Sequence, residues 1–392
     1  MMKKSLVAVA ILGAFAASAF AAPSVTLYGR IDTGLVYTHQ DLDKKGVDST
    51  DTFEMKSGFT TGSRWGLKGT EDIGNAKVGF VLESGFTSDD GVSTQGSRLF
   101  GREAQVNVSG AYGTLYAGRL MSIAGIGGSV SMLGGVSAFG MTYGDTAKGN
   151  GSTGSAYTRY DNTLAYMTPK FGGFRAGAMY SFKGDSQKEK DANENTAGAT
   201  RYAALGLQYK APKYEVVLVG DYTMWGNQYD SKTGKKGYHV DDGYSIILGG
   251  NYDFGPAKVF AKATYFDNED VGSVVDSFKL LKNVTHKVEN KDKNTTAVKG
   301  WGLELGTKVP AFGGNFLAAV GYRDAKDIDD SDVKFHRWNV AAGYTYAFSK
   351  RTSVYGLVGY AQEKAKGASY AKANSNPNPN EVQAGFGLVH KF

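Results

Sequence analysis

Residues 381–392 read EVQAGFGLVHKF, and they decide the fold. Val382, Ala384, Phe386, Leu388 and Phe392 share one parity, while Glu381, Gln383, Gly385, Gly387 and Lys391 share the other. Successive side chains of a strand point to opposite faces, so one face here is apolar up to the last residue and the other is polar or small. The same alternation recurs upstream. Val25, Leu27, Ile31 and Leu35 oppose Thr26, Arg30, Asp32 and Gly34; Trp301, Leu303, Leu305 and Val309 oppose Gly302, Glu304, Gly306 and Lys308. Trp338, Val340, Ala342 and Tyr344 oppose Arg337, Asn339, Ala341 and Thr345. Strands with one face suited to hydrocarbon and one to water describe a transmembrane β-barrel with a wet interior.

Sixteen such segments are expected, near 24–38, 60–70, 76–86, 100–110, 113–120, 157–168, 174–183, 201–211, 214–225, 242–254, 257–267, 299–309, 314–324, 334–348, 352–362 and 381–392. Seven connections are tight (71–75, 110–113, 169–173, 211–213, 254–257, 310–314 and 348–351) and carry the Gly, Pro, Asn and Asp of short turns. The other eight are long and polar, at 39–52, 87–98, 121–156, 184–200, 226–241, 268–298, 325–333 and 363–380. Alternation of short turns and long loops marks an antiparallel barrel of the outer-membrane type, with both termini on the periplasmic side. A β-sandwich has many strands but no reason for this alternation. A water-soluble barrel of this size would enclose an oversized interior. Aromatics collect at strand ends: Tyr166, Tyr209, Tyr214, Tyr252, Tyr346 and Phe392 at one level, Tyr180, Phe182, Tyr265, Trp301 and Tyr322 at the other. Such girdles sit at the two interfaces of a bilayer.

The first 21 residues read as a secretory signal: Lys3 and Lys4, an apolar run from Leu6 to Ala17, and the small-x-small triplet Ala19-Phe20-Ala21. That run is too short to span about 30 Å of hydrocarbon. The mature chain is expected to begin near Ala22, with Pro23 as a second candidate, and to form one domain over 22–392. Removing two lysines lowers the formal charge from +6 to +4. Without a basic block, that small excess speaks against a nucleic-acid partner. The chain has no cysteine, hence no disulfide framework and no thiolate metal site. Its 54 glycines lie within aromatic alternating segments, which separates it from a disordered chain.

Several strings carry a resemblance. VTLYGRIDTGL opens the mature chain, SRWGLKGTEDIGNAKVGFVLESGF covers the second and third strands, and GTLYAGRL ends the fifth. TRYDNTLAYMTPKFGGF, AFSKRTSVYGLVGY and FGLVHKF follow in order. Together they resemble the trimeric general-diffusion porins of Gram-negative bacteria, in particular the sixteen-stranded type of beta-proteobacteria and neisserial porins. The resemblance implies a homotrimer in outer-membrane lipid, passing inorganic ions and small hydrophilic solutes. It also implies an inward-folded third long loop that narrows each channel. In this chain that loop is 121–156, with Gly127, Gly128, Met132, Phe139 and Asp145 as candidate constriction residues. It departs from the family's acid-rich pattern, since Asp145 is its only acid and Lys148 its only base.

Selectivity in a wide channel comes from side-chain charge at its narrow place. The polar parity carries twelve bases, among them Arg30, Arg64, Lys68 and Arg159, against eight acids, among them Asp32 and Glu83. Arg30, Asp32, Arg64, Lys68, Glu83 and Arg159 are the candidate pore-lining set, and a weak anion preference is expected. Arg102 is a misfit. It shares the parity of Ala104, Val106 and Val108, and a charge facing mid-bilayer costs about 2–4 kcal/mol. It must lie at the strand's outer end, reach the loops, follow a bulge, or meet a neighbouring protomer. The histidines show no metal-ligand spacing, and no nucleophile elbow or phosphate loop is present, so neither cofactor nor catalysis is expected. A substrate-specific channel and a loop-plugged structural or adhesive barrel stay open as rival readings.

Overall fold

The computed structural model describes residues 24–43, 46–140, 144, 146–147, 158–226, 241–270, 297–328, 331–366, 369–370, 374–375 and 378–392. The expected leader lies outside the described residues. The strands are β1 (Ser24–Asp41), β2 (Thr50–Ser57), β3 (Arg64–Asp72), β4 (Lys77–Gly85), β5 (Glu103–Gly110), β6 (Gly113–Met121), β7 (Arg159–Met167), β8 (Phe174–Ser181), β9 (Arg201–Lys210) and β10 (Tyr214–Met224). They continue with β11 (Gly243–Asp253), β12 (Lys258–Asp270), β13 (Ala297–Ala311), β14 (Gly314–Asp327), β15 (Lys334–Ala347), β16 (Thr352–Lys366), a small hairpin of β17 (Ser369–Tyr370) and β18 (Asn374–Ser375), and β19 (Asn380–Lys391).

From β3 to β16 each strand pairs antiparallel with the next, β16 pairs with β19, and β19 pairs with β1, so the sheet closes. Closure leaves no edge among the staves, which lets a sheet satisfy its backbone polar groups inside hydrocarbon. The barrel has sixteen staves, as expected, but the second stave is built differently from the prediction. β2 pairs with the upper half of β1, from Thr33↔Ser57 to Gln40↔Thr50. β3 pairs with the lower half, from Ser24↔Thr70 to Arg30↔Arg64. Residues 58–63 leave the ladder between them. The segment TDTFEMKS alternates as a strand should, yet its polar residues and its position give it the look of a loop in the sequence.

The closing strand behaves as its alternation demands. Phe386 is 60% exposed on the outer face, whereas Gln383 on the inner face is 1% exposed. Leu27, Leu205 and Leu305 are likewise exposed outside, and Glu304 is buried inside. Each large apolar side chain gains about 1.5–3 kcal/mol by leaving water, which hydrocarbon around the barrel supplies. The last residue also finishes the seam: Gly29 and Phe392 exchange backbone hydrogen bonds of 3.1 Å. A Cβ at Gly29 would strike the Phe392 ring, so glycine there makes room for the terminal aromatic. At the opposite extreme of regularity, the β13–β14 turn places Phe312 (φ 50°) and Gly313 (φ 76°) in the left-handed region. Two left-handed residues are what a two-residue hairpin turn needs to match strand twist.

Candidate functional site

The site is built on the inner faces of β1, β3 and β4. Arg30 and Arg64 are direct cross-strand partners. Like charges placed opposite one another destabilise a ladder unless something stands between them. Here Thr61 does: its Oγ1 accepts from Arg30 Nη1 at 3.3 Å and from Arg64 Nη2 at 2.9 Å. Arg64 Nε donates to the Gly62 carbonyl at 2.9 Å. Further down β3, Lys68 is exposed, with Nζ 5.3 Å from the centroid of the Tyr28 ring. Glu83 faces this group but is already engaged. Its Oε1 accepts from Arg102 Nε at 2.6 Å and lies 3.9 Å from Arg64 Nη1, and its Oε2 accepts from Tyr28 at 3.0 Å.

Asp32 does not line open space, contrary to the sequence reading. It has no exposed surface. Its Oδ2 accepts from Thr60 N (2.9 Å), Thr60 Oγ1 (2.7 Å) and Thr61 N (2.8 Å), and its Oδ1 accepts from the Tyr355 hydroxyl (2.7 Å). The 58–63 departure from the second stave makes the three bonds to Oδ2, and no periodicity in the sequence announces it.

The misfit at Arg102 resolves at the strand end. Arg102 sits in a bend just before β5 and turns inward to Glu83 instead of continuing the outer parity. Arg119 repeats the device: a regular β6 would give it the parity of exposed Leu115. A bulge between Gly118 (φ +135°) and Leu120 turns it inward, where it pairs with Asp161 and donates from Nε to the Gly101 carbonyl at 2.8 Å. Bulges re-aim side chains in this way. Arg159 Nε donates to the Arg102 carbonyl at 3.0 Å. Arg98, from the connection after β4, reaches Asp185 at 2.6 Å and Asp161 at 3.3 Å. Burial pushes the Asp185 carboxyl up, but the Arg98 hydrogen bond and the backbone N–H groups of Lys188 and Gln187 outweigh it and hold it below its usual range. Sequence parity found Arg159; Arg98 carried no periodic signal.

The segment after β6 touches the inner face of stave after stave. Ser129 N donates to Glu103 at 3.0 Å, Asn251 Nδ2 donates to the Gly135 carbonyl at 2.7 Å, and Ser137 Oγ donates to Glu304. Met132 lies against Gly177 and Gly206, Val136 against Gly249, Ala138 against Gly306, Phe139 against Gly343 and Thr146 against Gly359. Gly144 N donates to the Phe59 carbonyl at 2.7 Å, joining this segment to the 58–63 turn. Two apolar clusters hold it: Leu120, Ile123, Met132, Leu133 and Val136 with β7–β11, and Phe59, Phe139 and Ala147 with β14–β16 and β19. Of the candidate constriction residues, Met132 and Phe139 are thus turned to the wall and buried. Gly127 is exposed, and Arg64 Nη1 is the nearest atom to where its Cβ would stand, at 3.8 Å. Gly128 follows it in the same bend, over Met121 and Ser131. Asp145 lies outside the described residues. Among the described residues no cluster of metal-ligating side chains occurs.

The sequence profile of a family described as Gram-negative porin matches residues 8–366. The chain is 35% identical to an outer membrane porin protein of Bordetella pertussis and 30% identical to outer membrane porin protein 32 of Delftia acidovorans, covering 100% of each chain in both comparisons. Among solved structures it is similar to an anion-selective porin from Comamonas acidovorans, with a TM-score of 0.59 and 24% identity over 94% of this chain and 100% of that one. Proteins of this family are channels rather than enzymes. A closed barrel of sixteen staves with an apolar outside and a charged inside is the form such a channel takes, and the chain belongs to the Gram-negative porin family, as an outer-membrane diffusion channel.

Proposed function

We propose that this porin is a homotrimer passing ions and small hydrophilic solutes with a weak preference for anions, set where Arg30, Arg64 and Lys68 face the segment after β6. In this reading the described residues 121–140, 144 and 146–147 fold into the barrel and narrow it, and both termini are periplasmic. The contacts of that segment with inner-face glycines on β8, β9, β11, β13, β15 and β16 support the narrowing. The observation that carries the preference is the pairing of Arg64 with an uncharged glycine edge. The described residues 122–140 contain no acid, so nothing there cancels the wall. Arg30 and Lys68 add to it, since neither makes an ion pair among the described residues, whereas Glu83 is shared between Arg64 and Arg102. Fixed charge beside a water-filled path raises the local concentration of the opposite ion. The similarity to a porin described as anion-selective points the same way.

Purified protein in a planar bilayer tests the channel part. Large ohmic conductance steps arriving in threes are the expected result. Folded, inserted protein without conductance would instead favour a plugged structural barrel, and saturable block by one solute a substrate-specific channel.

A further inference from the structure

We propose that Asp32 is a positioning residue for ion selectivity: it holds the inward turn Gly58–Ser63, and through Thr61 it keeps Arg30 and Arg64 side by side. This rests on the anion-preferring reading above and names the part of the barrel that sets it.

The second stave is the place where the ladder gives way. Gly58 N donates to the Asp32 carbonyl at 2.9 Å, Asp32 N donates to Ser63 Oγ at 3.0 Å, and Phe86 N donates to the Ser63 carbonyl at 3.1 Å. Between these anchors the turn drops Phe59 into the apolar cluster, where it is 2% exposed and its ring lies 6.1 Å from that of Tyr355. Thr60 and Thr61 then meet the Asp32 carboxylate. A buried carboxylate that takes three hydrogen bonds from one turn and a fourth from Tyr355 fixes the backbone it binds, because each bond to an ionised acceptor is short and strong. Tyr355 reaches Asp32 across two strands over Gly34 and Gly387, where any Cβ would meet its hydroxyl. Thr61 is therefore held by its backbone N–H on Asp32, while its hydroxyl oxygen accepts from both guanidinium groups.

The consequence is an inversion of sign. An aspartate beside the path would repel anions, and removing it would raise anion preference. An aspartate acting through the turn does the opposite. Without it the turn loosens, the shared hydroxyl is lost, and two like-charged side chains move apart and away from the path.

The experiment compares reversal potential and step conductance under a KCl gradient for wild type, Asp32→Asn, Thr61→Val, Thr61→Ser and the double Arg30→Ser/Arg64→Ser variant, with the folded fraction read from heat-modifiable migration in gels. Doubling the distance from a guanidinium to the path roughly halves its interaction, so about a twofold fall in the anion-to-cation permeability ratio is expected for Asp32→Asn and for Thr61→Val. Thr61→Ser, which keeps the oxygen, should match wild type. Thr61→Val changes no charge, so its result stands even if Asp32→Asn fails to fold. Unchanged selectivity in Thr61→Val, or a rise in anion preference in Asp32→Asn, would overturn the positioning role while leaving the arginine wall intact. A wild type without anion preference, or a double arginine variant that behaves like wild type, would overturn both.

Discussion

Two pairs of arginines face each other across neighbouring strands on the inner wall, and they have opposite fates. Arg30 and Arg64 pair between β1 and β3, and Arg323 and Arg337 pair between β14 and β15. The first pair shares a hydroxyl, Thr61 Oγ1. The second shares a carboxylate: Glu363 Oε1 accepts from Arg323 Nη2 at 2.7 Å and Arg337 Nη1 at 3.2 Å. Arg323 and Arg337 have no exposed surface, while the Arg64 side chain keeps 11% and Arg30 is half-buried. A neutral bridge separates like charges without cancelling them; Glu83 offsets part of the Arg64 charge but is shared with Arg102, and Arg30 makes no ion pair among the described residues, so the first pair still acts on passing ions. A shared carboxylate offsets one of the two guanidinium charges, and burial keeps the group away from passing ions. Counting bases by parity treats the two pairs as equals, and they are not.

The largest effect should come from breaking the ionic bridge. Removing one partner of a buried ion pair costs about 3–5 kcal/mol, so Glu363→Gln should markedly lower the urea midpoint of unfolding from detergent or lipid. Its reversal potential should stay at the wild-type value, because the affected charges are buried. If Glu363→Gln changed selectivity and not stability, the assignment of the two pairs would be reversed.

Breaking the neutral bridge from its other side comes next. One unit charge about 4 Å from an ion in water is worth about 1 kcal/mol, a factor of about five in permeability ratio. Arg30→Ser or Arg64→Ser should each shift the reversal potential toward cations by up to that factor. The unfolding midpoint should change little for Arg30→Ser, whose side chain is half-buried and makes no ion pair among the described residues, and should fall for Arg64→Ser, which is buried beside Glu83.

The uncharged edge opposite the wall can be moved instead. A Cβ at Gly249 would approach the Val136 Cβ to 2.9 Å. Gly249→Val should cost about 1–3 kcal/mol by overpacking and alter step conductance while keeping the sign of the reversal potential. Unaltered conductance would mean that the segment after β6 does not define the narrow place.

The smallest effect lies above the wall, at the Arg98 tether. Asp185 is held below its usual range, so its contribution is present above the unfolded carboxyl pKa of about 3.9 and is lost as pH falls through the lower folded value. Asp185→Asn should make the 86–101 connection easier for pepsin to nick at a pH of about 4. That difference from wild type should vanish at lower pH, once the wild-type carboxyl is itself protonated. A difference that persisted through the whole range would remove the ion pair as its cause.

The fold was legible because a period of two, repeated through sixteen staves, leaves a strong mark: Phe386 and Leu388 stand outside and Gln383 inside as the alternation requires. The site was legible only in part. Arg30, Arg64 and Lys68 fall where parity puts them, since regular strands carry them. Asp32 obeys parity too, yet burial by a turn from the next stave removes it from the path, and no local signal in the chain foretells a tertiary cover. Arg102 and Arg119 break parity, one through a bend and one through a bulge at Gly118. A charge on the lipid-facing parity is itself the signal for such irregularity, because the alternative of facing hydrocarbon is too costly. Thr61 could not be found from sequence at all: it matters only because the ladder between β2 and β3 gives way.

Whether the neutral-bridged wall makes this pore prefer anions is decided by the reversal potential of the wild-type protein in a planar bilayer under a KCl gradient. A wall with a net positive charge gives a potential on the chloride side of zero, moderate in size and reduced by high salt as the wall is screened. A potential on the potassium side would mean that the arginines of β1 and β3 do not set the selectivity of the channel.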